Sequence, residues 1–122
     1  MNSTMNNTTI KYPKSYLIII NQLFEIENKL KRIQEPNSIQ RNIDRLKDFF
    51  ATDALADGQG LDYHNPIGES YNETRTDCEA NIAGSSHENL VIVEVIKPII
   101  YTKVGNSKIV IQKAIVVVQS KN

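Results

Sequence analysis

The chain has 122 residues, enough for one domain, or for a helical arm plus one small module. Its 14 basic and 14 acidic side chains cancel to a net charge of +0. That balance argues against nucleic acid or an anionic membrane surface as the main partner, since either calls for a cationic surplus, and a single cysteine, Cys78, excludes an intrachain disulfide framework.

Residues 1–12 are mostly polar, rich in Asn and Thr, and predict a disordered tail. From Tyr12 the apolar positions become regular: Tyr12, Tyr16, Ile19, Leu23, Ile26, Leu30 and Ile33, spaced alternately by four and three. That is a heptad seam, which Ile18, Ile20 and Phe24 widen into a bundle-type stripe. Pro13 suits the start of the helix. Glu27 and Lys31 add a favourably ordered pair four residues apart.

The pattern breaks at Glu35-Pro36-Asn37, because proline removes an amide donor and pushes the preceding residue toward extended geometry. Asn37 or Ser38 then offers an N-cap. A second series follows at Ile39, Ile43, Leu46 and Phe50. It is out of phase with the first, so two helices joined by a short turn are expected, with Phe49, Ala51, Ala54 and Leu55 carrying the second one to Asp57-Gly58-Gln59-Gly60. The helical hairpin is thus expected over residues 13–57. One apolar stripe cannot stay dry alone. Two hairpins packed as a homodimeric four-helix bundle would bury it, with Tyr16, Ile19, Leu23, Ile26, Leu30, Ile33, Ile39, Ile43, Leu46 and Phe50 at the interface.

Residues 58–122 form the second unit. Gly, Pro, Asn, Ser and Asp dominate residues 58–89, which read as loop. Beyond them, Leu90–Ile96, Ile99–Lys103 and Lys108–Gln112 are rich in branched residues and predict strands of a small, mainly antiparallel β-domain, with Ala114–Val118 either a fourth strand or a bulged continuation of the third past Gln112-Lys113. Val104-Gly105-Asn106-Ser107 reads as a tight hairpin turn. The fold class is α+β.

No apolar run approaches the ~20 residues of a membrane span, and no signal-peptide cleavage pattern follows Tyr16–Ile20. With the lone cysteine, this points to a reducing, cytoplasmic setting. No phosphate-cradling glycine loop is present. Cys78 has His64 and His87 within fifteen residues on either side, but no motif brings a base to the thiol. The set His64, Asp77, Cys78, Glu79 and His87 lacks the close ligand pairs of a zinc site. The expectation is a binding protein without a cofactor or metal, and not an enzyme.

Pro66-Ile67-Gly68-Glu69-Ser70-Tyr71-Asn72-Glu73 is similar to a Gly-x-Pro-Phe-Asp-Pro stretch, with Tyr71-Asn72 in place of Phe-Asp and Glu73 in place of Pro. That stretch opens the β-domain of the GrpE family, the nucleotide exchange factors of DnaK-type chaperones, which the chain resembles from Gly60 onward. Val93-Glu94-Val95-Ile96 and Tyr101 resemble its Val-Leu-Gln-x-Gly-Tyr stretch. Val110-Ile111-Gln112-Lys113-Ala114-Ile115-Val116-Val117-Val118 resembles its closing Val-Ile-Arg-Pro-Ala-x-Val-x-Val strand, with Gln112 in place of Arg. In that family a helix pair, half of a four-helix bundle, directly precedes the β-domain, and residues 15–56 suit that pair. The resemblance implies a homodimer that docks its β-domain on a chaperone ATPase domain and promotes ADP release. Contacts are implied at Lys103, Asn106, Lys108, Ile109 and Val118.

Overall fold

The computed structural model describes residues 10–35 and 37–121, so residues 1–9 of the expected tail, Pro36 and Asn122 lie outside it. Helix α1 spans Lys14–Leu30 and starts directly after Pro13, whose extended backbone (φ −67°, ψ 131°) forms the cap. Tyr12, placed in the tail by composition, packs instead against the core beneath the helices. The α1 chain leaves through a tightened turn: the Arg32 N–H donates to the Lys29 carbonyl and the Ile33 N–H to the Leu30 carbonyl, both at 3.0 Å. Helix α2 spans Ile39–Thr52, and Asn37 rather than Ser38 caps it, its Oδ1 accepting the Ile39 N–H at 3.0 Å. The helices pack on each other through Tyr16 and Phe50, whose rings meet edge to face at 5.2 Å, and through Gln40, which donates to Glu27 at 3.0 Å.

Helix α2 stops at Thr52, short of the expected Asp57. The Phe50 carbonyl, which would accept from Ala54 in a continuing helix, instead accepts the Leu61 N–H at 2.7 Å. The linker is therefore pulled back along the helix, through a single 3₁₀ turn at Ala56–Gly58, while Ala54 and Leu55 still pack on the helix-side core. Gly60 makes this close approach possible, since a Cβ there would overlap the backbone of Phe50 and Ala51.

Six strands follow: β1 Asp62–His64, β2 Cys78–Ala83, β3 Leu90–Lys97, β4 Ile99–Val104, β5 Ser107–Gln112 and β6 Ala114–Ser120. They form two three-stranded sheets, β1-β4-β5 and β2-β6-β3. The three strands expected over residues 90–112 are there, and Ala114–Ser120 is a separate strand rather than a bulged continuation; the four are best seen as one long hairpin, β3-β4 against β5-β6, bent at Pro98 and Lys113 so that its tip and base lie in different sheets. At the tip Gly105 (φ 61°) takes the left-handed position of the two-residue turn. Each half of the bent hairpin gains one more strand from the segment read as loop. β1 pairs antiparallel with β4, and β2 pairs parallel with β6 from Cys78↔Ala114 to Ala83↔Gln119.

Two cores result. The helical hairpin covers the first sheet through Ile20, Leu23, Phe50, Leu61 and Ile100. The inner face of the second sheet buries Cys78, Ile92, Ala114, Val116 and Val118 under Ile99, Tyr71 and Tyr101. No helix among the described residues is long and apolar enough to cross a membrane.

Gln112 ties the parts together at the bend. Its Nε2 donates to the Pro98 carbonyl at 3.0 Å, holding the two bent arms together, and its amide exchanges a reciprocal pair of 3.0 Å bonds with Asn21 of α1. Replacement by Ala removes all three and strands the Asn21 amide. At about 1 kcal/mol per bond, Gln112→Ala is expected to lose about 2–3 kcal/mol, read from the urea unfolding midpoint.

Candidate functional site

The helices carry two different apolar faces. Ile20, Leu23 and Phe24 of α1 and Ile43 and Phe50 of α2 are buried within the chain. Tyr16 and Leu30 are half-buried. Ile19, Ile26 and Ile33 recur every seven residues and are exposed, as are Ile39 and Leu46 on α2. Each residue turns a helix by about 100°, so Ile19 and Ile26 lie one position round from the buried row, on the side away from the first sheet. On α2, Leu46 and Phe49 occupy the matching flank, and Phe49 extends the edge-to-face row of Tyr16 and Phe50. Phe49 (45% exposed) and Ile18 (65%) were not among the expected interface residues. The sequence period marked the stripe; only packing divides it into a covered and an open half.

The expected partner contacts separate as well. Lys103 and Lys108 are exposed and directly opposed across β4 and β5, and Asn106 is exposed in the turn between them. Like charges in this register repel. The Lys108 ammonium sits 4.5 Å from the centre of the Tyr101 ring, a cation–π contact. Ile109 opposes Thr102, one position out of step with the two lysines, and is half-buried. Val118, expected as a contact, is fully buried, because the inward period of β6 puts Ala114, Val116 and Val118 on its core face.

A charged cluster holds the segment leading into β2. Arg75 donates to Asp77 at 2.6 Å, to Glu69 at 2.7 Å and to the Ser70 carbonyl at 3.0 Å, and His64 pairs with the other oxygen of Glu69. Burial by itself would raise Glu69 and Asp77, but the Arg75 guanidinium, joined at Glu69 by His64, outweighs it and keeps both carboxyls below their ordinary values. Cys78 lies in the adjoining core, where burial above all pushes its thiol up to about 11, leaving it protonated at neutral pH. His64 is engaged by Glu69, and His87 lies on the rim of a cavity of about 800 Å³ at the open end of the second core. Ala80, Ile82 and Leu90 line that cavity, with Glu73 and Lys121 also at it. Among the described residues no group of three or more His, Cys, Asp or Glu side chains is placed to hold a metal ion.

At the junction of helices and sheet, Glu27 accepts from Tyr63 Oη at 2.8 Å and from Gln40, with Lys47 at 3.5 Å. Burial would raise Glu27, yet these donors hold it below its ordinary value. Burial and the bond to Glu27 push the Tyr63 phenol well above its usual range.

No family model, curated protein or solved structure matches this chain. The surfaces must therefore be weighed on their own geometry. Nothing local marks β2, Arg75 or the cavity in the sequence, since they depend on the pairing of β2 with the distant β6.

Lowered carboxyl values mean that the unfolded chain binds more protons as the pH falls, so stability is full above about pH 5 and drains below it. Urea midpoints are expected to drop between pH 7 and pH 3.5. Arg75→Met should lower the pH 7 midpoint and shrink that difference; an unchanged difference would show that the cluster does not govern the acid limb.

Proposed function

We propose that this chain is a GrpE-like co-chaperone. In this reading two copies pair through their helical hairpins as a four-helix bundle, and the β-part of each docks on the ATPase domain of a DnaK-type chaperone and promotes ADP release. The observation that carries the pairing is the open apolar face of Ile19, Ile26, Ile39, Leu46 and Phe49. The opposite side of the same hairpin is already covered by the first sheet, so a second copy offers the open side a matching stripe.

The order of elements supports the family reading, because a helix pair runs directly into a compact β-part. The segments that carry the resemblance also fall at structural joints. Gly68, Glu69 and Tyr71 bond along β3: the Gly68 N–H donates to Ile92, the Ile92 N–H to Glu69 and the Tyr71 N–H to Leu90. Val110–Val118 crosses from one sheet to the other. The exposed tip, with Lys103, Asn106 and Lys108, is the docking element in this reading, and Val118, buried in the second sheet, takes no part in it.

The mechanism needs no acid, base or metal from this chain. A binding protein opens a nucleotide cleft by holding the open state more tightly than the closed one, and ADP must then weaken the complex by the same factor. The cytoplasm, where DnaK-type chaperones work, is the compartment that follows.

Two measurements test the proposal separately. The solution mass is expected to be that of a dimer, and the double variant Ile26→Glu/Leu46→Glu to be monomeric with its β-part intact; a wild-type monomer at high micromolar concentration would overturn the bundle. A purified DnaK-type ATPase domain should be retained on the immobilised protein, be released by ADP, and lose labelled ADP at least tenfold faster in its presence. Retention insensitive to nucleotide would leave a dimeric adaptor without exchange activity. No retention would remove the chaperone altogether.

A further inference from the structure

The outer edge of β2 is an open backbone ladder. The order β2-β6-β3 leaves β2 bonded on one side only. The Ala114 N–H donates to the Asp77 carbonyl at 2.9 Å, which fixes the phase of that ladder. Backbone direction alternates along a strand. Glu79 and Asn81 therefore turn their N–H and C=O groups to β6, and Cys78, Ala80 and Ile82 turn theirs outward. Among the described residues no other strand pairs with β2, and no backbone bond outside its ladder reaches these three residues.

The other edges are blunted. Residues 68–71 bond along β3, with Ser70 bridged to Val91, and the pairing of β3 is broken by two register shifts. β5 carries Lys108, and β1 is only three residues long. β2 pairs from Cys78 to Ala83 without a shift and holds neither a proline nor a basic residue. An unbroken edge of this kind is a template for another strand.

The side chains of β2 say which strand. Cys78, Ala80 and Ile82 share the core face, where Ile82 is still 37% exposed beside the cavity of about 800 Å³. Glu79 and Asn81 stand exposed on the opposite face. We propose that the β2 edges of two copies of this chain pair antiparallel about a two-fold axis at Ala80. In this register Ala80 opposes Ala80 of the second copy and Cys78 opposes its Ile82. All of these residues turn their backbone groups outward, so each opposed pair exchanges both bonds. Between them, at the positions where side chains approach most closely, Glu79 faces the second copy's Asn81, and a carboxylate meets an amide donor on both sides of the axis. An axis at Glu79 would oppose two carboxylates, and one at Asn81 would carry Cys78 beyond the end of the second copy's strand. The edge is complementary to itself in one register.

An edge of six residues buries less than the ~1,000 Å² of a stable interface, so this pairing is weak and depends on concentration. It uses none of the helical residues proposed to pair above and does not rest on that reading. Where both contacts form, each chain carries two isologous interfaces, and dimers join edge to edge into larger assemblies.

The test uses the full chain carrying Ile26→Glu/Leu46→Glu, which removes helical pairing whether or not it occurs. Sedimentation is expected to show a monomer at low micromolar concentration and a dimer with a Kd on the order of 0.1–1 mM. Amide hydrogen exchange by NMR should slow severalfold at Ala80 and Ile82 as the concentration rises. Glu79 and Asn81, bonded to β6, should stay protected throughout, which also reports that the sheet is folded. Added to this background, Asn81→Lys should tighten the dimer about threefold at low salt, by opposing Lys to Glu79, and Asn81→Glu should weaken it about threefold. Ala80→Pro, at an outward N–H, should abolish it. A monomer at every concentration up to about 1 mM overturns the proposal. So does association indifferent to both Asn81 variants. Slow exchange at Ala80 and Ile82 in the monomer would also overturn it, since the edge would then be covered by the chain itself.

Discussion

The bend in the long β-hairpin is the constraint on which this structure rests, and Gln112 holds it. Pro98 supplies no N–H to a ladder and suits the point where one strand ends and the next begins in another sheet. Its carbonyl is then left to find a donor, and the Gln112 side chain provides it at 3.0 Å. The same amide reaches Asn21 on α1. One side chain thereby couples the sheet crossing to the position of the helical hairpin. The neutral amide of Gln112 is used wholly for internal bonding.

From the bend follow the two sheets, and from the two sheets the two cores. The tip half of the hairpin turns its Ile100 face to the helices, and the base half buries Val116 and Val118. Each half recruits one short strand to its open edge, which lowers the exposure of unpaired backbone. The helices in turn cover only one sheet face, with only one side each. Their other side remains apolar and open, and that surplus is what the proposed pairing uses. A cavity of about 260 Å³ between β4 and residues 58–60 belongs to the same geometry: the linker is drawn to Phe50 and away from β4, so the first sheet closes incompletely.

The helical hairpin could be read directly because its period is local. Every third or fourth residue from Tyr16 to Phe50 is apolar, and a break falls at Pro36, so two helices were legible to within a few residues. The last four strands were legible for the same reason: runs such as Leu90–Ile96 are branched and are punctuated by Pro98 and Gly105. The end of α2 was not, because it depends on a carbonyl captured by Leu61. The strands β1 and β2 were not legible either. DYH and CEANIA carry no strong β signal, and each becomes a strand only because a distant edge, β4 or β6, offers it a ladder.

By itself, then, the sequence determined the two helices and the last four strands and their order, since those helix and strand periods are written within ten or so neighbouring residues. Tertiary structure alone decided which half of the helical stripe is covered, that Val118 faces inward while Lys103 and Lys108 stand opposed at the surface, and that Arg75 gathers Glu69 and Asp77. These outcomes depend on contacts between residues far apart in the chain, such as Asn21 with Gln112 or Cys78 with Ala114, and no local pattern encodes such partners.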